Sequence, residues 1–227
     1  MTETEWIECG DPIAMLQFLF GSFMEMPDGL HLARKNLLLA CACFSRVSDL
    51  LPPEACVWQA HAAEAAEGRY TKSKLDGEGE EADWAFIAVQ ERADAEDRGR
   101  LTALLDLWTW TPDPTSADEE SKPFWLAERE AQADLIREIY GNPFQPVRLD
   151  LRVFDRGGII IETAEAIYRD RDFGRLGSLA NMVEECGWAD RQVLAHCRSV
   201  GGHHRGCWVI DLLLGLHDID CYRRGGR

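Results

Sequence analysis

The sequence predicts a mainly α-helical protein, either a helical bundle or an irregular array of antiparallel helices. Apolar residues recur at the three- and four-residue spacing of helices over most of the 227 residues. Proline and glycine interrupt these segments at intervals that suit short helices. Only residues 147–153 alternate apolar and charged side chains with the period of two that is typical of a strand. This stretch predicts one short β-hairpin near 147–162.

The first half of the chain predicts four helices separated by proline, glycine and polar segments. Asp11 is a good N-cap, and Pro12 suits the first turn of a helix that ends before the breaking segment at 20–30. Residues 37–44 are apolar all round, which indicates a helix that is buried on most sides. The helices after the first are predicted at about 31–51, 53–68 and 82–108, and a polar loop is predicted at 71–81.

The second half opens with a predicted helix at about 122–140. Its apolar stripe is followed by Gly141-Asn142-Pro143, a helix stop signal. After the alternating stretch, a turn at 155–158 is expected to lead into a second strand at 159–161. Further helices are predicted at about 160–171, 175–186, 190–198 and 204–214, and Asp190 is the N-cap of the third.

An acidic surface segment is the predicted boundary between two lobes. Residues 111–122 contain Asp113-Pro114 and several acidic side chains, which is typical of a linker. We therefore expect an N-terminal helical lobe at 1–110 and a C-terminal helical lobe at 123–227. A chain of this length can bury a sizeable core as one domain or as two lobes.

Charge and composition exclude several classes of function. The formal net charge of −16 disfavours binding to nucleic acid or to anionic membranes, because both repel an acidic surface. No apolar run approaches the length of about 18 residues that a membrane-spanning helix needs. The acidic N-terminal segment MTETEWIECGDP lacks the basic and apolar regions of a signal peptide. We expect a cytoplasmic protein with reduced cysteines.

The densest group of chemically versatile side chains lies near the C-terminus. Three of the six histidines and two of the eight cysteines fall between His196 and Cys207. Imidazole, thiolate and carboxylate all bind zinc. If the last helix starts near His203, then His203 and Cys207 share one face at i and i+4, and the preceding helix adds ligands across the Gly201-Gly202 turn. The candidate metal ligands are His196, Cys197, His203, His204, Cys207 and Asp211.

Three other interpretations of this group stay open. Cys207 is a candidate nucleophile with His203 as its base and Asp211 or Asp190 orienting the histidine, since a helix N-terminus and an imidazolium stabilise a thiolate. Residues 201–205 at a helix start form a weaker candidate for an anion site. Alternatively, the group is a packed corner between two helices, because free cysteine is among the most buried residue types. The apolar residues around both cysteines favour the packed corner.

Several segments resemble a family of uncharacterised paralogous proteins of planctomycete bacteria. They are the opening E-W-x-x-C-x-D-P at 5–12, the segment DLIREIYGNPF at 134–144, and the final LAHCR, H-x-R-G-C-W and DLLLG at 194–215. The similarity covers both ends of the chain, whereas residues 70–122 depart from it. The resemblance implies a recurring soluble fold and gives weight to His203 and Cys207 as motif positions. It implies no mechanism, because the family has no established activity.

The expected function is a non-catalytic one. The Walker loop, the dinucleotide fingerprint and the G-x-S-x-G and H-E-x-x-H motifs are missing from the sequence. The sequence therefore favours a protein-interaction or scaffold module with an unknown protein partner and no cofactor. The alternative is a zinc-binding or Cys/His-dependent hydrolase-type protein centred on His203, Cys207 and Asp211.

Overall fold

The computed structural model describes residues 1–21, 33–109, 117–149 and 158–216. In these residues the chain forms α-helices, one short 3₁₀ helix and connecting segments, and it forms no strand. The predicted mainly α-helical class is confirmed. None of the helices in the described ranges combines the length and the apolarity needed to cross a membrane.

The chain divides into two compact units, Met1–Arg137 and Glu138–Arg223. The division falls inside the last turns of a helix, Lys122–Tyr140. Half of the predicted linker, residues 111–116, lies outside the described residues. The predicted lobes 1–110 and 123–227 therefore stay a prediction.

The first unit is formed by six helices and most of a seventh. Asp11 caps the second helix as predicted, since its Oδ1 atom accepts the backbone N–H groups of Ile13 (2.9 Å) and Ala14 (3.2 Å). In the core of this unit, Phe44 packs against Trp58 at a ring distance of 5.2 Å. The helices are Glu3–Glu8 (α1), Pro12–Phe20 (α2), Arg34–Arg46 (α3), Pro53–Ala66 (α4), Lys72–Gln90 (α5), Ala95–Thr109 (α6) and Lys122–Tyr140 (α7).

The polar loop predicted at 71–81 is wrong, because most of it belongs to α5. Leu75, Ala82 and Phe86 share one face of this helix and are all buried, so tertiary packing outweighs the low helix propensity of the glycines between them. The single helix predicted at 82–108 is also wrong. It breaks after Gln90, and Asp94 accepts the N–H of Asp97 (3.0 Å) at the start of α6.

Two arginines connect helices of the first unit. Arg46 of α3 forms a bidentate ion pair with the buried carboxylate of Glu128 on α7, with N–O distances of 2.7 and 3.1 Å. Near the end of α7, Arg137 donates to the backbone carbonyl of Trp6 from Nη2 (3.1 Å) and Nε (3.2 Å), and also to the carbonyl of Cys9. These contacts hold α1 and α3 against α7.

The second unit contains the end of α7 and the remaining helices of the described chain. Asp190 caps the third of these as predicted, since Oδ1 accepts the N–H groups of Gln192 (2.9 Å) and Val193 (3.1 Å). Buried apolar side chains from each of the four α-helices described after α7 form a single core. The helices are Ile159–Asp170 (α8), Leu176–Glu185 (α9), Arg191–Cys197 (α10) and Trp208–Leu214 (α11), with a 3₁₀ helix at Phe173–Arg175.

The β-hairpin predicted near 147–162 is not formed in the described residues. Residues 147–149 form no strand, residues 150–157 lie outside the described ranges, and residues 159–161 are the first turn of α8. In that helix Ile160, Ala164 and Ile167 are buried at a spacing of i, i+4 and i+7. Residues 159–161 therefore fold as helix because the buried face extends over the whole segment, whereas the short apolar run alone is equally compatible with a strand.

Candidate metal centre

Four side chains of the second unit meet at one point, and we call them the four-residue cluster: Glu138, His196, His203 and Cys207. One potential ligand atom from each lies within 4.8 Å of every other. Two imidazoles, one thiol and one carboxylate are donor groups that zinc uses in proteins.

Each member of the cluster comes from a different local structure. Glu138 lies in the last turn of α7, and His196 lies in the last turn of α10. His203 belongs to the segment between α10 and α11, and Cys207 is the N-cap of α11. Gly206, at φ +96°, turns the backbone just before Cys207. A metal bound here would connect Glu138, at the end of α7, to residues 196–207, which begin 58 positions later in the chain.

The distances within the cluster are close to those of a four-coordinate site. His196 Nε2 lies 3.2 Å from Cys207 Sγ and 3.2 Å from Glu138 Oε2. His203 Nδ1 lies 3.1 Å from both carboxylate oxygens of Glu138. Zinc bond lengths of about 2.0–2.3 Å at tetrahedral angles place ligand atoms roughly 3.3–3.6 Å apart. A small outward movement of the side chains therefore gives room for the ion.

The cluster is shielded from solvent, and this shifts the pKa values of two members. Cys207 is fully buried and the side chain of His203 is 7% exposed. Burial lowers the pKa of His196 to about 4, although the nearby Glu138 carboxylate opposes this shift. Burial, helped by the charge of Glu138, raises the pKa of the Cys207 thiol well above its usual range. Without metal, the site therefore holds a neutral imidazole beside a thiol at neutral pH.

The contacts of the His203 ring show that Nδ1 is the nitrogen that faces the cluster. Nδ1 faces Glu138, whereas Nε2 is buried and has no hydrogen-bond partner. The two rings His196 and His203 meet edge to face, with centroids 4.9 Å apart. The atoms that point inward are thus Nε2 of His196 and Nδ1 of His203.

The structure brings three of the six predicted metal ligands together, His196, His203 and Cys207, and leaves the other three out of the cluster. Cys197 is buried in the apolar core of the unit, and burial raises the pKa of its thiol to about 12. His204 contributes only its backbone N–H, which donates to Glu138 Oε1 (3.4 Å). Asp211 is fully buried one turn into α11, where its N–H donates to the carbonyl of Cys207 (2.9 Å).

The predicted route by which His203 and Cys207 meet is wrong. The sequence placed both on one face of a helix starting near His203, but α11 begins at Trp208. Before that point the chain turns, and the N–H of Cys207 donates to the carbonyl of His204 (3.0 Å). The two side chains therefore converge through a folded loop, and Glu138 lies beside His203.

Glu138 is the member of the cluster that sequence reasoning missed. Its position three residues after Leu135 is the one sequence signal that marks it, and in the structure it is only 8% exposed. A carboxylate on an apolar helix stripe is costly unless it has a partner. The stripe thus predicts a partner for Glu138, but it does not say which residues provide it.

Burial also decides the chemistry open to Cys207. A nucleophilic cysteine needs an accessible, stabilised thiolate. Cys207 has no exposed surface and its pKa is raised, so the geometry argues against the nucleophile interpretation. The same donor set, once deprotonated by a metal, is well suited to hold a divalent ion.

Comparison of the chain with known protein families, with curated proteins and with solved structures finds no match. The resemblance to the planctomycete paralogous family therefore stays a prediction.

Proposed function

We propose that the chain is a zinc-binding protein whose second unit holds one Zn²⁺ through the four-residue cluster. The ligand atoms are Glu138 Oε2, His196 Nε2, His203 Nδ1 and Cys207 Sγ. One observation carries the proposal: these four groups lie mutually within 4.8 Å in a shielded part of the unit. Zinc commonly takes four such nitrogen, oxygen and sulfur ligands in a tetrahedron.

Charge balance supports a divalent ion at this place. A carboxylate and a thiolate carry two negative charges, and two neutral imidazoles add none. A divalent cation therefore makes the whole group neutral, which lowers the cost of burying it. The soft thiolate and the imidazoles favour Zn²⁺ over Mg²⁺ or Ca²⁺, which prefer oxygen ligands.

The proposed role of the metal is structural. Structural zinc sites are closed by four protein ligands, whereas catalytic sites keep a position for water or substrate. The cluster supplies four ligands and is mostly buried. This arrangement supports the expectation of a protein without chemistry of its own over the hydrolase-type alternative. The expected protein partner stays a prediction.

Metal analysis of protein purified without a metal-affinity tag tests the proposal. We expect about one zinc per chain, removed by chelator and restored by added Zn²⁺. Substitution with Co²⁺ should give an intense visible band of four-coordinate cobalt and a near-ultraviolet band from the Cys207 thiolate. Metal-free wild-type protein that gives neither band with excess Co²⁺ would overturn the proposal.

Matched variants identify the ligands. Cys207→Ser should remove the thiolate band and weaken cobalt binding, and Glu138→Gln should weaken binding while keeping the thiolate band. Cys197→Ser and His204→Gln are the controls, because both residues are close in sequence but outside the cluster. Equal loss of cobalt in Cys197→Ser and Cys207→Ser would contradict the assigned ligand set.

A further inference from the structure

The contact between Gly141 and Trp208 connects the two ends of the four-residue cluster. Gly141 follows Glu138 by three residues, and Trp208 directly follows Cys207. A Cβ atom added to Gly141 would lie 3.2 Å from Cγ and 3.3 Å from Cδ2 of Trp208. The indole ring therefore packs directly against the backbone of Gly141, at the point where the end of α7 meets the start of α11.

Gly141 meets two requirements at once. Its φ of +70° lies in the left-handed region that ends α7, which side chains other than glycine adopt at a cost. An added Cβ would lie closer to the indole than most Cβ atoms lie to any neighbour, so the ring would have to move by a few tenths of an ångström. The first requirement concerns helix termination, and only the second concerns the distance between the two helix ends.

Trp208 also contacts a metal ligand on its other side. Its indole lies 5.2 Å from the imidazole of His196, with the two ring planes tilted by 55°. The indole thus packs between the end of α7 and the His196 ring. A displacement of the indole would change the position of His196 and the separation of Glu138 from Cys207.

We infer that Gly141 and Trp208 are positioning residues that set the geometry of the metal site. The inference rests on the proposed zinc-binding function. Neither residue offers a ligand to the ion. The absence of a side chain at Gly141 lets the indole approach, and the indole holds His196 and Cys207 at coordinating distance from Glu138. Groups that support metal ligands typically change metal affinity by roughly 10- to 100-fold when altered.

A double-mutant cycle read out by Co²⁺ titration of the full chain tests this inference. Gly141→Ala should weaken Co²⁺ binding roughly 10-fold and shift the cobalt visible band. In a Trp208→Leu background, which removes the indole, the same glycine substitution should weaken binding less than about threefold. Gly187→Ala is the matched control, because Gly187 has φ +89° but no atom near an added Cβ. It should leave Co²⁺ affinity unchanged.

Equal affinity of Gly141→Ala and wild type for Co²⁺ would overturn the inference, as would an equal loss with and without the indole. If Gly141→Ala does not fold, Trp208→Phe answers the question, because it keeps an aromatic ring but removes part of the surface seated on Gly141. Unchanged Co²⁺ affinity in Trp208→Phe would also overturn the inference. A wild-type chain that binds no Co²⁺ refutes the zinc proposal itself, which is a different result from a variant that binds as well as wild type.

Discussion

The Nε2 atom of His196 lies 3.2 Å from the Sγ atom of Cys207, although the two residues belong to consecutive helices. His196 is in the last turn of α10 and Cys207 caps α11. Because both side chains are largely buried, each is held in its neutral form: the pKa of His196 is lowered and that of Cys207 is raised. The contact is therefore an uncharged pair in the absence of metal.

The free energy of unfolding of the metal-free protein should fall as the pH is lowered from about 6.5 to about 4. The ordinary pKa of histidine is 6.5, and burial lowers that of His196 to about 4. Between these values the unfolded chain takes up a proton at His196 that the folded chain does not, so folding is disfavoured. The loss is at most about 3 kcal/mol. Urea unfolding with chelator present, at a series of pH values, measures it.

The variant His196→Gln is the control for this pH dependence. Glutamine keeps a polar side chain of similar length but does not titrate, so its stability should decline less over the same window. A decline as steep as that of wild type would show that other groups are responsible.

Five of the described cysteine thiols should fall into two classes of reaction rate. Cys56 and Cys186 are exposed, whereas Cys43, Cys197 and Cys207 are buried and their pKa values are raised by burial. We expect alkylation of the exposed pair within minutes and of the buried three only after denaturation, since the thiolate is the reactive form. Peptide mapping by mass spectrometry identifies the modified positions. Fast alkylation of Cys207 in the folded, metal-free chain would restore the nucleophile interpretation.

Alanine at Gly99 should destabilise the first unit by about 2 kcal/mol. A Cβ on Gly99 in α6 would meet the carbonyl oxygen of Ser121 and lie 2.9 Å from both Phe124 Cβ and Trp125 N. Overpacking of this kind typically costs about 1–3 kcal/mol. Gly77 in α5 is the matched control, because a Cβ there meets nothing within 4 Å. Gly77→Ala should stabilise the protein by about 0.5–1 kcal/mol through helix propensity, and thermal unfolding of both variants gives the comparison.

The substitution Arg46→Ala should lower the free energy of unfolding by about 3 kcal/mol. Arg46→Ala leaves the buried carboxylate of Glu128 without its bidentate partner, and an unpaired buried charge is strongly destabilising. Arg69→Ala is the control, because Arg69 and its partner Glu64 are both about half exposed. That substitution should cost less than about 1 kcal/mol. Similar losses in the two variants by chemical denaturation would contradict this reasoning.

Local signals in the sequence predicted the helices of the second unit well, and long-range packing explains the errors elsewhere. Asp190 and Gly141 mark helix ends through backbone chemistry that depends only on neighbouring residues. The interior of α5 depends on burial of Leu75 and Phe86 against other helices, which its glycine- and acid-rich composition concealed.

In the candidate site, too, local signals were informative and long-range contacts were not foreseen. The density of histidine and cysteine between His196 and Cys207 identified three cluster members. Glu138 lies 58 positions before His196 in the chain, and its role depends on where the end of α7 lies in the folded unit. The helical spacing from Leu135 places this carboxylate beside the apolar stripe of α7, but spacing within the sequence carries no information on its partners.

The position of Arg137 and Glu138 as adjacent residues of α7 makes the length of that helix critical. Arg137 reaches the carbonyls of Trp6 and Cys9, and Glu138 reaches His196 and His203. One residue inserted earlier in α7 would rotate everything after it by about 100° and advance it by about 1.5 Å. Arg137 would then leave the carbonyls of Trp6 and Cys9, which belong to the same unit as the body of α7. Among descendants of this chain, insertions and deletions within α7 should therefore be rarer than substitutions on its exposed face.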